Sequence, residues 1–260
     1  MNLRGMLKEL RQNILHDRSD SIPGGASDQL WSDETLIAYI NDAIDRFANE
    51  TECIRDFVTP EATVVKLVAG QEFYPLHPAV IGVMSARFDT DPRDLARSGH
   101  STLSTYQTPT SEFFDPSTAV NLKPGKPLAF ATDEGVTEDE HGHFMCANLR
   151  IFPLPTVEYE RTVKMRVVRR PLRHLHDPDD RPEIPSNWHL AVLDWAGYLA
   201  IRQPDLDIAG VDQMLKMREM KSQFDDHCAR AKKQLTRKTF APATWGFGRN
   251  GFGGYVGDYN

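Results

Sequence analysis

Several groups of residues in this chain have the types and spacing that chemistry requires. His141-Gly142-His143 followed by Cys146 reads H-x-H-x-x-C and offers three zinc-ligand side chains. A closed tetrahedral zinc site needs four, and no fourth ligand stands nearby. His174, His176 and Asp177 are candidate acid–base groups, but they lie in a Pro/Asp-rich stretch without a serine or cysteine nucleophile in a recognisable context. Asp89, Asp91 and Asp94 could contact calcium, yet the stretch lacks the glycine and terminal glutamate of an EF-hand loop. Gly246, Gly248 and Gly251 match G-x-G-x-x-G, which binds a dinucleotide only where a strand precedes it and a helix follows. Here nine residues follow Gly251 and three of them are glycine, so no helix can receive a pyrophosphate. There is no P-loop, G-x-S-x-G elbow or H-E-x-x-H. The expectation is no enzyme, no cofactor and no metal site.

Two further patterns suit binding better than catalysis. Arg161, Lys164, Arg166, Arg169, Arg170 and Arg173 form a basic run. Its plain reading is a solvated strand face paired with local Asp and Glu, and its sharper reading is an electrostatic seam to an acidic partner. The segment Phe240–Asn260 carries six aromatics and six glycines but no Leu, Ile or Met. Such a segment cannot build a core of its own. It can lie extended on another surface, with Phe240, Trp245, Phe247, Phe252, Tyr255 and Tyr259 as isolated anchors for a partner. Trp188 and Trp195 share a helical face and read as a core stripe.

The chain of 260 residues is 40% hydrophobic and 26% charged, the composition of a globular protein able to bury a core. A net charge of −7 argues against a protein that binds nucleic acid by neutralising phosphates. No apolar run approaches membrane-span length, so no membrane partner is expected. MNLRGMLKELRQNIL reads as an amphipathic helix, not a secretion signal. Cys53, Cys146 and Cys228 are far apart and read as reduced, buried thiols.

The elements that would position these residues segregate along the chain. Leu3–Leu15 shows a helical stripe, and Asp17–Leu30 is a loop broken by Ile22-Pro23-Gly24-Gly25. Ser32 caps a helix with Asp33 and Glu34 in its first turn, running to about Arg55 and stopped by Pro60. Thr63–Val68 and Phe73–Leu76 read as strands about an Ala69-Gly70-Gln71 turn, and Val80–Phe88 as another. Asp91–Pro127 is irregular. Leu128–Thr132 and Phe144–Leu154 read as strands about an acidic turn region, Asp133–Glu140, and Glu158–Arg170 alternates as a strand. Ser186 or Asn187 caps a helix ending at Pro204, and a last helix spans Ile208 to about Lys238. The fold class is α+β, a helical bundle formed by N- and C-terminal helices with an inserted antiparallel β-rich region and an extended C-terminal arm. The expected parts are residues 1–59, helical; 60–172, the β-rich insertion; 173–238, helical; and 239–260, the docking arm.

Several blocks then carry a resemblance. Leu30–Asp56 (LWSDETLIAYINDAIDRFANETECIRD) resembles the signature helix of tailed-bacteriophage head-to-tail adaptor proteins, with a Trp-Ser-Asp-Glu cap and the core Tyr39-Ile40-Asn41-Asp42-Ala43. VVKLVAGQEFYPL, NLRIFPLP, VVRRPL and IPSNWHLAVLDWAGYLAIRQ follow in the family's order, over about Leu30–Gln203. The resemblance implies a structural virion protein at the head–tail junction, assembled in the host cytoplasm. It implies a homo-oligomeric ring, typically of twelve subunits, between the portal protein and a tail or nozzle protein, with genomic DNA passing through its channel without sequence-specific binding. Two other classes stay open: a metal-dependent, cell-wall hydrolase using His141, His143 and Cys146, and a receptor- or carbohydrate-binding tail module.

Overall fold

Leu3, Met6 and Leu10 recur at helical spacing, and all three are buried. They begin α1 (Leu3–Glu9), capped by Asn2, whose side chain accepts from the Gly5 amide at 3.1 Å. The chain runs on as a π-helical turn, Leu10–Leu15, in which the neighbours Leu10 and Arg11 are both buried. The computed structural model describes residues 1–16, 30–91, 93–97, 124–138, 144–202 and 211–247. Two compact units emerge, Met1–Cys53 with Pro171–Asn260, and Ile54–Arg170.

In the first unit, α2 (Asp33–Thr51) opens where Ser32 Oγ accepts from the Thr35 amide at 3.1 Å. Leu36, Ile40, Ala43, Ile44 and Phe47 are buried along one stripe. The helix stops at Thr51, short of the expected Arg55 and well before Pro60. Thr51 turns its hydroxyl back to the Phe47 carbonyl (2.7 Å), and Glu52 enters the left-handed region at φ 53. Local side-chain bonding and an αL cap end the helix before proline is reached. α3 (His189–Ile201) is entered through a 3-10 turn, Ser186–Trp188, and no side chain caps it. The Trp188 amide donates to the Pro185 carbonyl (3.0 Å), so the expected cap from Ser186 or Asn187 is replaced by backbone.

α4 (Val211–Phe247) extends beyond Lys238, so residues 240–247 of the segment read as an extended arm are helical. Adding residues to an existing helix needs no new nucleus, and the first glycine of the segment is Gly246. Pro242 removes one ladder donor within this stretch, and the helix nonetheless runs past it to Phe247. Residues 248–260 lie outside the described residues. α2 packs on α3 and α3 on α4. Their aromatic rings meet, with Phe47 6.0 Å from Trp188 and 6.2 Å from Phe224, and Trp195 4.9 Å from Phe224. Gly197 allows the closest approach: a Cβ there would stand 2.7 Å from Ile14 Cγ2 and 3.3 Å from Met220 Sδ.

The second unit carries eight described strands: β1 (Arg55–Asp56), β2 (Val64–Lys66), β3 (Phe73–Pro75), β4 (Val80–Phe88), β5 (Ala96–Arg97), β6 (Ala129–Glu138), β7 (Phe144–Phe152) and β8 (Thr162–Arg169). It begins at Ile54 because β1 precedes Pro60 and pairs with β8. In the first sheet β8 is central, flanked by β4 on one side and by β1 and β2 on the other, all antiparallel. The second sheet runs β3-β7-β6-β5. Its β5–β6 pair is parallel, so the insertion is mixed and not purely antiparallel. The chain is thus α+β. Leu67, Tyr74, Val83, Phe130, Leu149, Ile151, Val163, Met165 and Val167 from both sheets share one core.

Two strand expectations change. β2 and β3 do not pair as a hairpin; β2 joins β8 and β3 joins β7, in different sheets. The Tyr74 hydroxyl closes the intervening turn instead, accepting from the Val68 amide (3.1 Å) and donating to the Gln71 carbonyl (2.9 Å). Gly70 supplies the positive φ of 73° that this turn needs. The acidic stretch from Asp133 is strand as far as Glu138, paired as Glu134↔Asn148, Val136↔Cys146 and Glu138↔Phe144. Ladder pairing with β7 overrides the low strand propensity of Asp, Glu and Gly.

Candidate interaction surface

The alternation of β8 sends Val163, Met165 and Val167 to the core and leaves Lys164 and Arg166 exposed. Antiparallel register then aligns the neighbours. Arg87 of β4 stands directly opposite Lys164, and Val64 of β2 stands opposite it on the other side. Lys66 follows in β2, exposed and opposite Thr162. Arg166 lies over the Phe57 ring at 5.8 Å. Among the described residues, no acidic side chain makes an ion pair with Lys66, Arg87, Lys164 or Arg166.

Apolar groups share this face. Phe57 and Val58 are 67% and 71% exposed, and Ile81 and Met84 of β4 are 36% and 38% exposed. Two β-bulges, at Val80/Gly82 and Val83/Ser85, put Ile81 and Met84 outside while Val80, Val83 and Ala86 turn in. A strict alternation would have buried one of the two and wasted Val83 or Ala86 on the surface.

A buried ion pair holds the turn that displays Phe57 and Val58. Asp56 Oδ2 accepts from Arg169 Nε at 2.7 Å, both side chains being 8% exposed. Asp56 Oδ1 accepts from the amides of Val58 (2.8 Å) and Thr59 (3.1 Å). Burial pushes the Asp56 carboxyl upward, but the Thr59 hydroxyl, those two amides and Arg169 together hold it well below the usual carboxylate range.

The basic run therefore splits. Lys164 and Arg166 join the exposed face, whereas Arg169 is buried with Asp56. Arg170 donates to the Pro78 carbonyl (2.9 Å), and Arg161 to Thr90 (3.0 Å). Sequence reasoning missed Phe57, Val58, Lys66 and Arg87 because only cross-strand register brings them beside β8. The adjacent apolar pair Phe57-Val58 ahead of Pro60 was the one local signal.

The other candidates are placed as follows. His141 and His143 lie outside the described residues, and Cys146 is in β7. Among the described residues no group of three His, Cys, Asp or Glu side chains could hold a metal ion. Asp91 pairs with Lys126 (2.9 Å) and accepts from the Arg93 amide (3.0 Å). His174 Nε2 is 3.1 Å from Asp45 Oδ2, beside α2, while Asp180 accepts the amides of His176 and Asp177. Trp188 and Trp195 are core residues. Phe240, Trp245 and Phe247 belong to α4, and Phe252, Tyr255 and Tyr259 lie outside the described residues.

The Tyr39-Ile40-Asn41-Asp42-Ala43 block proves structural. Asn41, buried on α2, donates to the Leu175 carbonyl at 3.0 Å and accepts from the Leu175 amide at 2.9 Å. Asp42 accepts from Trp195 Nε1 at 3.3 Å. Thus one turn of α2 binds both the 171–185 segment and α3.

No curated protein matches the chain. A family model described as SU10 adaptor protein matches residues 1–245, which takes in both compact units. That family is structural and non-enzymatic, which removes the hydrolase alternative. Over residues 1–245 the chain belongs to the SU10 adaptor protein family, a family of phage head-to-tail adaptors.

Proposed function

We propose that this chain is one subunit of a homo-oligomeric ring, of typically twelve copies, that joins the capsid portal to the tail and lines part of the DNA channel. The family match over residues 1–245 carries the reading. The net charge of −7 fits a conduit, because DNA phosphates meet repulsion in an acidic channel and slide rather than adhere. The N- and C-terminal helices serve as the bundle that anchors the subunit, and the β unit as the insertion. In the C-terminal segment, Phe240, Trp245, Phe247, Phe252, Tyr255 and Tyr259 grip the portal or a neighbouring subunit. Residues 248–260 span about 45 Å when fully extended, enough to reach an adjacent molecule.

Deletion of residues 248–260 tests this grip while leaving α4 whole. The truncated chain should fold, with unchanged tryptophan fluorescence, and fail to associate stably with purified portal. Trp245→Ala and Phe252→Ala should weaken docking more than Arg249→Ala, since buried aromatic anchors dominate interface energies. Full-affinity assembly of the truncated chain removes the gripping role of Phe252, Tyr255 and Tyr259, and full-affinity docking of Trp245→Ala removes that of Trp245. Imaging of particles that lack a collar between capsid and tail removes the ring.

A further inference from the structure

In the helical unit, the start of α3 and one face of α4 form a groove of about 440 Å³, lined by Asn187, Trp188, His227, Arg230, Lys233 and Gln234. His227, Arg230 and Gln234 recur at helical spacing and share a face of α4, with Lys233 beside them. Asn187 and Trp188 supply the other wall, from the 3-10 turn that leads into α3. Every polar side chain among the six can donate a hydrogen bond, two are cations and none is a carboxylate. Positive charge is thus gathered in one groove of a chain whose net charge is −7.

This arrangement costs the subunit stability. Arg230 and Lys233 stand three residues apart on one helix, where like charges repel. Burial pushes the His227 imidazole below its ordinary pKa, and Arg230 adds to that push against the attraction of Asp226. The Trp188 ring meets the imidazole edge-on, with centroids 6.2 Å apart, and Asp194 of α3 stands 3.7 Å from His227 Nε2. Neither the 3-10 turn nor α3 has a side-chain cap, so the positive end of a helix adds to the same wall. Lys232, the neighbour of Lys233, is by contrast 3.4 Å from the Glu50 carboxylate.

The geometry points to a phosphate-binding site in this groove, with Arg230 and Lys233 supplying the charge and Asn187, Gln234 and His227 the remaining donors. Arg, Lys, Asn and Gln side chains and helix starts are the groups that hold nucleic-acid phosphates. A protein partner seeks exposed apolar anchors within a polar rim, and the one apolar ring in this lining, that of Trp188, is 8% exposed. A bound phosphate offsets the repulsion between Arg230 and Lys233. The DNA backbone and free phosphate both carry this group, and neither source requires the groove to read a base. The groove lies within one compact unit, so the site does not depend on the ring reading above.

Two titrations of the full-length protein test the site. In the first, inorganic phosphate is added at constant ionic strength, with chloride as the control anion, and the His227 Cε1–H NMR signal, assigned with His227→Asn, is followed. Phosphate should move that signal saturably, with a Kd in the millimolar range, and chloride should not. Arg230→Gln with Lys233→Gln should weaken the response at least about tenfold, whereas Arg230→Lys with Lys233→Arg, which keeps both charges, should retain most of it. Both side chains are exposed, and thermal unfolding checks that the variants fold. In the second, duplex DNA binding is followed by fluorescence anisotropy, and the Gln pair should reduce the slope of log K against log salt by about 2. A reduced slope assigns the DNA backbone as the source, and a lost phosphate response with DNA binding unchanged assigns free phosphate. If neither probe distinguishes wild type from the Gln pair, the site is overturned. A glutamate-rich peptide that binds wild type but not the Gln pair, while phosphate moves nothing, overturns it in favour of a protein carboxylate. Neither titration requires assembly, so failure here leaves the ring reading standing.

Discussion

Replacing Asn41 should unfasten the helical unit, and the effect can be worked from two hydrogen bonds. Asn41 Nδ2 donates to the Leu175 carbonyl at 3.0 Å, and Asn41 Oδ1 accepts from the Leu175 amide at 2.9 Å. Both residues are buried, at 9% and 4% exposure. Asn41→Ala leaves a buried donor and a buried acceptor without partners, each costing about 1–3 kcal/mol. The sum, reduced by any water entering the vacated space, is about 3 kcal/mol, a large share of a domain's stability. Asn41→Asp separates the two bonds. Its carboxylate still accepts from the Leu175 amide, but its second oxygen faces the Leu175 carbonyl and must carry a proton to bond it. The folded-state pKa of that carboxyl is then raised above its unfolded value near 4. Its stabilisation is complete below pH about 4 and is lost as pH rises through the folded pKa. All four tryptophans lie in the helical unit, so urea unfolding followed by their fluorescence reports the right transition. Asn41→Asp should approach wild type at pH 4 and fall toward Asn41→Ala at pH 8. A loss under about 1 kcal/mol for Asn41→Ala, or a flat pH profile for Asn41→Asp, refutes the reasoning.

Asp56→Asn should destabilise the β unit by about 1–3 kcal/mol, because a neutral amide replaces the buried carboxylate to which Arg169 Nε and the Val58 and Thr59 amides donate, seen as faster hydrogen exchange in β8. In the wild type the depressed Asp56 pKa makes this stabilisation present above about pH 4 and lost progressively below it, so the β unit of the Asn variant should lose less stability on acidification than wild type. Asp194 behaves oppositely: burial pushes its carboxyl up to about 6, and His227, pushed down chiefly by burial, stands 3.7 Å away. The folded chain holds an extra proton between pH about 4 and 6, so stability falls as pH rises across that window. Asp194→Asn should gain about 1–2 kcal/mol over wild type at pH 7.5 and nothing at pH 4, and a pH-independent difference counts against this account. Gly197→Ala should lower stability despite a helix-propensity gain of about 1 kcal/mol, because its Cβ meets the stiff β-branched Ile14. Trimming Ile14 to Ala in the same chain should reverse the sign, and thermal unfolding of the pair checks it.

Much of the fold was legible in the chain because its signals are local. Ser32, Asp33 and Glu34 announce the start of α2, and Leu36 to Phe47 declare its buried stripe through 3.6-residue spacing alone. Val163, Met165 and Val167 likewise revealed their common face at a period of two. The exposed basic face resisted because its parts are joined by register. Arg87 and Lys164 are 77 positions apart in the sequence and become neighbours only when β4 pairs with β8. The bulges that expose Ile81 and Met84 leave no mark in composition. They arise where two strands of unequal residue count must keep one core filled.

The sequence by itself determined an α+β chain with helices at both ends and strands between them, without a catalytic motif. Family membership followed from the order of short blocks that had no meaning singly. Only the tertiary structure decided which ion pair is buried, as that of Asp56 and Arg169 is, and which cations are exposed, as Lys164 and Arg166 are. Only it showed that Asn41 fastens Leu175. Such choices depend on burial and on partners distant in the chain, and those exist only after the backbone has closed on itself.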